Sequence, residues 1–302
     1  MAGIEVKMVE VKNVLTRTSG FLKTVTSHSL QPYRGCTFGR SLCGMGCYVQ
    51  HNRFLTKGRT WGSFLDVRVN AAQSYSDGYR RERDWARRSR GGFSIFLSSA
   101  TEPFLPQEFR YGITRKVLEC MREQPPDELV VQTHSHRVAE YGGLLEELNG
   151  RCSLRVHISI ETDRERIAGL PPPPSPVSKR FEAARSLREL GIRSVITVSP
   201  LLPIQDPDRF FQRVSECADA VVIDHFIEGD GTPDGRRTRQ TPVPDAMAGL
   251  EPDSVGLEYR DAMVEIAQRW LPGRVGVNID GFAGRGMRGD FTSSCAKRSA
   301  GR

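Results

Sequence analysis

Nothing in this 302-residue sequence suits passage through a bilayer: no apolar run approaches membrane-spanning length. The opening MAGIEVKMVEVKN has no signal-peptide core, so the cytoplasm is the expected compartment. Cysteine is scarce as well. Seven in a chain of this length, an odd number, exclude a disulfide scaffold. Cys120, Cys152, Cys217 and Cys295 are scattered singly. The first three fall where small buried hydrophobes fit a helix or a strand start, and the last lies in the polar tail TSSCAKRSAGR. No internal repeat is visible, and no cysteine-rich region lies near the C-terminus. Acidic residues are in deficit: 36 Asp and Glu against 43 Lys and Arg leave a formal charge of +7. That balance suits an anionic partner such as nucleic acid, a phosphorylated metabolite or an acidic peptide. What remains, 38% hydrophobic and 26% charged, is ordinary for a soluble globular protein with a sizeable core.

From residue 93 onward short apolar strands alternate with amphipathic helices. Strands are expected at 93–99, 128–133, 153–160, 194–200, 220–226 and 274–280, and FLDVRVNAA (64–72) adds one upstream, about seven in all. The helices between them carry Ile113, Val117, Leu118 and Met121; Val138, Tyr141, Leu145 and Leu148; Val177, Phe181, Ala184 and Leu187; Phe210 and Val214; and the stretch 256–270. Such alternation predicts an α/β fold with a parallel sheet and right-handed crossovers. A partial or near-complete parallel (β/α) barrel is preferred to an open doubly wound sheet. Ligands of such folds gather where strands end, which singles out Ser99, Thr101, His134, Ser159, Glu161, Ser199 and Asp224. Two segments stand outside the pattern. The basic run 78–92 is read as a solvated charged face in preference to a nucleic-acid contact. Residues 229–254 form a long loop.

The stretch PYRGCTFGRSLCGMGCY (32–48) is the one place where cysteines cluster. Thiolates this close bind zinc or iron–sulfur clusters. A structural zinc site needs a fourth ligand, and there is no second cysteine pair and no nearby histidine except His51. Cys36, Cys43 and Cys47 suit a [4Fe-4S] cube held at three irons with the fourth open to a substrate or cofactor. Gly35, Gly39, Gly44 and Gly46 let the backbone wrap closely around such an inorganic core.

QPYRGC…CGMGCY resembles the cluster-binding loop of radical S-adenosylmethionine (SAM) enzymes, in particular the spore-photoproduct-lyase-like branch, whose members typically read NPYRGC-x3-C-x2-CYA. The blocks VRVNAA (67–72), SSATEPFLPQE…ITRKVLE (98–119), VVQTHSHRV (130–138), residues 159–192 and VITVSPLLPIQD (195–206) follow in that branch's order, so the likeness runs from about residue 11 to residue 284. The loop differs in spacing, with six residues between Cys36 and Cys43 and three between Cys43 and Cys47.

The resemblance implies a [4Fe-4S] cluster on Cys36, Cys43 and Cys47, with SAM chelating the open iron and cleaved reductively to a 5′-deoxyadenosyl radical that abstracts hydrogen from a substrate. By position, Tyr48, Thr101, Glu102, His134, Ser159, Glu161 and Arg180 become cofactor-binding candidates. Thr101 and Glu102 stand at a turn near the SAM amino group, and His134 replaces a lysine that would meet the SAM carboxylate. Ser159 and Glu161 are placed for the ribose hydroxyls, and Arg180 for the SAM carboxylate. The bland readings are a turn cap for Ser159, a solvated helix position for Arg180 and a satisfied local hydrogen bond for Asp224 and His225. A metal pair of His134 and His136 is not favoured. Ala100 stands where a photoproduct lyase carries its hydrogen-donor cysteine, so literal cleavage of spore photoproduct is not expected. The substrate stays open among nucleic acid, a small metabolite and a peptide, and an electron donor such as flavodoxin or ferredoxin is implied. The domain reading is an N-terminal extension (1–30), a radical SAM barrel (31–284) and a disordered basic tail (285–302). The alternative is a non-catalytic metal-binding or scaffold protein with a basic nucleic-acid-binding surface.

Overall fold

Strand and helix alternate through most of the chain, and the computed structural model describes residues 3–285 and residue 287. Eleven strands run among the described residues: β1 (Glu5–Val9), β2 (Leu15–Arg17), β3 (His28–Leu30), β4 (Tyr33–Arg34), β5 (Phe64–Arg68), β6 (Ser94–Leu97), β7 (Glu128–Thr133), β8 (Ser153–Ser159), β9 (Arg193–Val198), β10 (Ala220–Ile223) and β11 (Val275–Val277). The longer helices are α1 (Ala71–Arg90), α2 (Ile113–Glu123), α3 (Gly142–Asn149), α4 (Val177–Glu189), α5 (Pro207–Cys217) and α6 (Leu257–Trp270). The large sheet has the order β11-β10-β9-β8-β7-β6-β3-β2, parallel throughout except for β2 at its edge. Since β11 and β2 are the two ends of that order, the sheet is a partial barrel.

Period-two alternation sorts the side chains of each strand. Leu97, Val131, Ile158, Val198 and Ile223 face outward and pack under Val117, Leu145, Phe181 and Val214 of the helices. The inner face is layered. Phe96, Val130, Val195 and Val222, with Phe282 of the short helix Asn278–Phe282, form an apolar floor. The His157 ring lies in this floor, 6.5 Å from Phe96 and 6.0 Å from Phe282 between centroids, and burial holds it neutral by driving its pKa well down. Two residues further along the strands come Gln132, Ser159 and Thr197, and two further still His134, Glu161 and Ser199.

Two expectations need correction. Residues 64–72 do not supply a barrel strand: β5 lies in a separate three-stranded sheet of order β1-β5-β4. Its place in the barrel is taken by β3, three residues that give no usable period. Residues 5–30, read as an extension, supply β1 of the small sheet and both β2 and β3 of the large one. The basic run forms the second half of α1, where Arg81, Arg83 and Arg87 pair with Glu82, Asp84 and Asp127. The tail expected at 285–302, with Cys295, lies outside the described residues apart from Arg285 and Met287.

Candidate cluster and cofactor site

The cysteine loop leaves the small sheet at β4 and is anchored there by residues that pattern reading passed over. Tyr33 donates its hydroxyl to the Glu108 carboxylate. That carboxylate also accepts from Tyr141 Oη and from the Thr114 and Arg115 N–H groups, each at 3.0 Å. Arg34 bonds Asp66 at 2.7 Å, and Asp66 is gripped again by Arg59 at 2.8 and 2.6 Å. Burial alone would raise the Asp66 pKa, but the two guanidinium groups hold it below the usual carboxylate range. Between these anchors the chain turns at Gly35, φ +84°, where a Cβ would stand 2.4 Å from the Phe64 carbonyl oxygen. A Cβ on Gly44 would stand 2.3 Å from the Gly39 backbone. The loop therefore closes on itself with no room for side chains at these two points.

Of its three thiols, Cys36 is buried and Cys43 and Cys47 are partly exposed. Burial pushes Cys36 up to about 12 and Cys47 up to about 11, and raises Cys43 as well. Beyond burial, the Cys36 thiol is raised by Cys47 and that of Cys43 by Cys36, Glu161 and Cys47. Backbone N–H groups of Glu102 and Phe38 are aimed at the Cys36 sulfur and those of Val49 and Gln50 at Cys47, while Ser41 Oγ lies 3.4 Å from Cys43 Sγ. Among the described residues no three His, Cys, Asp or Glu side chains are drawn together tightly enough to hold a single metal ion. The segment 229–254, expected as a long loop, carries a short helix at Val243–Ala248, whose Val243 and Met247 join Phe226, Ile167 and Leu202 in burying Leu42 of the cysteine loop.

Glu161 is the centre of the polar layer at the strand ends. It is 1% exposed, and its carboxylate takes His134 Nδ1 at 2.8 Å and Arg180 Nη1 at 2.7 Å. Burial opposes its ionisation, but Arg180 and His134 hold its pKa well below the usual carboxylate range. Arg180 is fully buried. Its Nη1 also reaches the Ser159 carbonyl at 2.5 Å, while its Nε and Nη2 have no partner. It thus stands behind Glu161, and is neither a solvated helix residue nor exposed to the barrel mouth. Ser159 does not cap a turn: its hydroxyl joins Gln132 at 2.8 Å and Thr197 at 3.0 Å in a row across three strands. Gln132 and Thr197 escaped notice in the sequence, although both sit two residues before strand-end positions already singled out.

Glu102 uses its carboxylate locally, accepting from Thr133 Oγ1 at 2.6 Å, His134 N–H at 2.8 Å and Phe104 N–H at 3.0 Å. Only its backbone N–H turns to the cysteines. Thr101 donates to the Tyr33 carbonyl at 3.3 Å, and Tyr48 donates to the Ser99 carbonyl at 2.6 Å, tying the loop to the turn that follows β6. His136 turns away from His134 to bond Ser175 Oγ at 2.5 Å, so the two do not form a metal pair. Asp224 is 4% exposed. Ser199 donates to its Oδ2 at 2.9 Å, Oδ1 has no partner, and burial pushes the carboxyl up to about 7.

No protein-family model matches the chain. Among curated proteins it is 28% identical over 186 residues to the uncharacterized protein ORF301 of Acidianus two-tailed virus, covering 58% of this chain and 56% of that one. It is 24% identical over 165 residues to the uncharacterized protein MJ0683 of Methanocaldococcus jannaschii, covering 53% and 58%. The chain thus matches little more than half the length of these relatives. Among solved structures, it is similar to a spore photoproduct lyase mutant with bound AdoMet and dinucleoside spore photoproduct, at TM-score 0.62 and 14% identity over 90% of this chain and 81% of that chain. Spore photoproduct lyase complexed with dinucleoside spore photoproduct gives 0.60 and 13% over the same shares. The likeness read in the sequence from residue 11 to residue 284 and the parallel partial barrel agree: the chain has the fold of spore photoproduct lyase.

Proposed function

We propose that this chain is a radical SAM enzyme acting on a substrate related to nucleic acid. The observation that carries the reading is the placing of three free thiols on one glycine-rich loop, Cys36 buried and Cys43 and Cys47 partly exposed, near an ionised Glu161 at the barrel's strand ends. The donor set fits the group: three thiolates leave one iron of a [4Fe-4S] cube free, and close backbone packing at Gly35 and Gly44 fixes the course of the loop that carries them. With the cluster and SAM bound, one electron from a flavodoxin- or ferredoxin-like donor cleaves the sulfonium and yields a 5′-deoxyadenosyl radical.

The chain's own part is placement and the exclusion of water. Cys36, Cys43 and Cys47 would hold the cluster. Each Glu161 oxygen keeps an acceptor position after its bonds to His134 and Arg180, and these suit the two ribose hydroxyls. The His134 Nε2 edge is the nearest substitute for a lysine at the SAM carboxylate. Arg180 positions Glu161 from behind. Asp224, with Oδ1 unpartnered, is a candidate hydrogen-bonding group for the substrate.

A nucleic-acid substrate is supported by the dinucleoside that the structural neighbour holds. Ala100, at the position of a photoproduct lyase's donor cysteine, points to a different net reaction. The test is anaerobic reconstitution followed by reduction with dithionite. About four irons per chain and release of 5′-deoxyadenosine are expected. Cys36→Ala and Cys47→Ala should each lose most of that iron. A colourless protein loaded with zinc, or full iron in either variant, would overturn the reading.

A further inference from the structure

The outer edge of β1 has a definite chemistry. β5 runs along its inner side, and among the described residues no strand pairs with its other side. The ladder decides which groups face out. Glu5 N–H donates to the Ser63 carbonyl at 2.9 Å, and the Val9 carbonyl accepts from Val69 N–H at 3.0 Å. The odd residues therefore bond inward, and the N–H and C=O groups of Val6 and Met8 point away from the sheet. Their side chains share a face with the buried Leu65 and Val67, their register partners on β5. Ile4, Val6 and Met8 extend that apolar face to the edge, at 38%, 40% and 67% exposure. Open edges of this kind are templates for another strand.

The sequence of the edge names the strand that fits it. Read outward from Val6 in both directions, Ile4-Glu5-Val6-Lys7-Met8 is complementary to itself when reversed. We infer that β1 pairs antiparallel with β1 of a second copy of this chain, about a twofold axis at Val6. In that register Val6 faces Val6, Ile4 faces Met8 and Glu5 faces Lys7, each of the unlike pairs occurring twice. The outward N–H and C=O groups of Val6 then exchange both bonds across the axis, and those of Met8 bond Ile4 of the other copy. Moving the register by two residues puts Lys7 against Lys7 or Glu5 against Glu5, so charge selects one alignment. The product is a closed, isologous dimer with a continuous sheet of order β4-β5-β1-β1-β5-β4. As β4 runs directly into Cys36, the two cysteine loops would be attached to one rigid sheet.

The contact is small, so the dimer should be concentration-dependent, with a dissociation constant of roughly 10–100 μM. Sedimentation of the full chain over a range spanning that value should show the mass rising from 33.8 kDa toward twice that figure. Glu5→Lys and Lys7→Glu each place like charges opposite at two positions and should weaken the dimer about tenfold. An equimolar mixture of the two variants should form a heterodimer, and the double exchange Glu5→Lys/Lys7→Glu should restore self-association. Val6→Pro removes an outward N–H without touching the bonds to β5, and should leave a folded monomer by circular dichroism. A monomer at every concentration, or a dimer indifferent to the single charge reversals or to Val6→Pro, would overturn the inference.

Discussion

Glu161 shows how one side chain can serve both the stability and the chemistry of a site. It is ionised in a buried place only because Arg180 and His134 lie against it, and breaking such a pair from one side leaves the other charge uncompensated. Glu161→Gln should therefore lower stability by about 3–5 kcal/mol in urea unfolding. The double variant Glu161→Gln/Arg180→Met should recover part of that loss, because the stranded guanidinium is gone. On the folded fraction, Glu161→Gln should weaken SAM binding, read by equilibrium dialysis, while iron per chain stays at the wild-type level. Unchanged SAM affinity would remove Glu161 from the cofactor's contacts. The sequence made this residue legible because it closes a strand whose alternation is unbroken from Val156 to Glu161. Arg180 was legible only as a candidate. Nothing in a helical sequence distinguishes a solvated arginine from one buried under a carboxylate at the end of the preceding strand.

Among the elements, the cysteine loop is the most demanding, since it must hold three side chains in one place without a helix or a long strand to brace it. Its solution is contact between backbones, Gly44 upon Gly39, with the ends tied by Tyr33 to Glu108 and by Arg34 to Asp66. A methyl group on Gly44 cannot be absorbed by a rotamer change, because what it meets is main chain. Gly44→Ala should cut reconstituted iron to below about half of wild type, while the helices of the barrel keep their far-UV circular dichroism. Retention of full iron would mean that the loop has slack. The six barrel strands from residue 94 onward fall where they were expected, most as short apolar runs between turn signals and β8 as an alternating one, although the last gives way at Asn278 to a short helix. The same rule misassigned β5. Phe64 to Val67 is buried on both faces too, with Leu65 and Val67 in the main core, but it pairs with β1 and β4 and not with the barrel strands. β3 was invisible because three residues carry no period.

At the scale of the molecule, the open edge of the large sheet depends on one buried carboxylate. Glu82 of α1 takes Arg17 of β2 at 2.8 Å, Arg81 at 2.8 Å and His28 of β3 at 3.1 Å. Burial by itself would raise its pKa, yet the bonds from Arg17, Arg81 and His28 bring it down to about 2 from an ordinary 4.5. A carboxyl depressed on folding adds stability that is complete above about 4.5 and disappears as the pH falls through about 2. Urea midpoints measured across that window should fall with acid in the wild type. In Glu82→Gln they should start lower and change less, the two proteins converging toward the acid end; parallel curves would show that Glu82 does not carry the effect. The apolar floor has a consequence of another kind. With Phe96, Phe282 and the neutral His157 stopping the barrel from below, it works as a cup rather than a tube. Whatever enters past the cysteines meets a closed base, and its ways out are the lip and the gap left between β11 and β2.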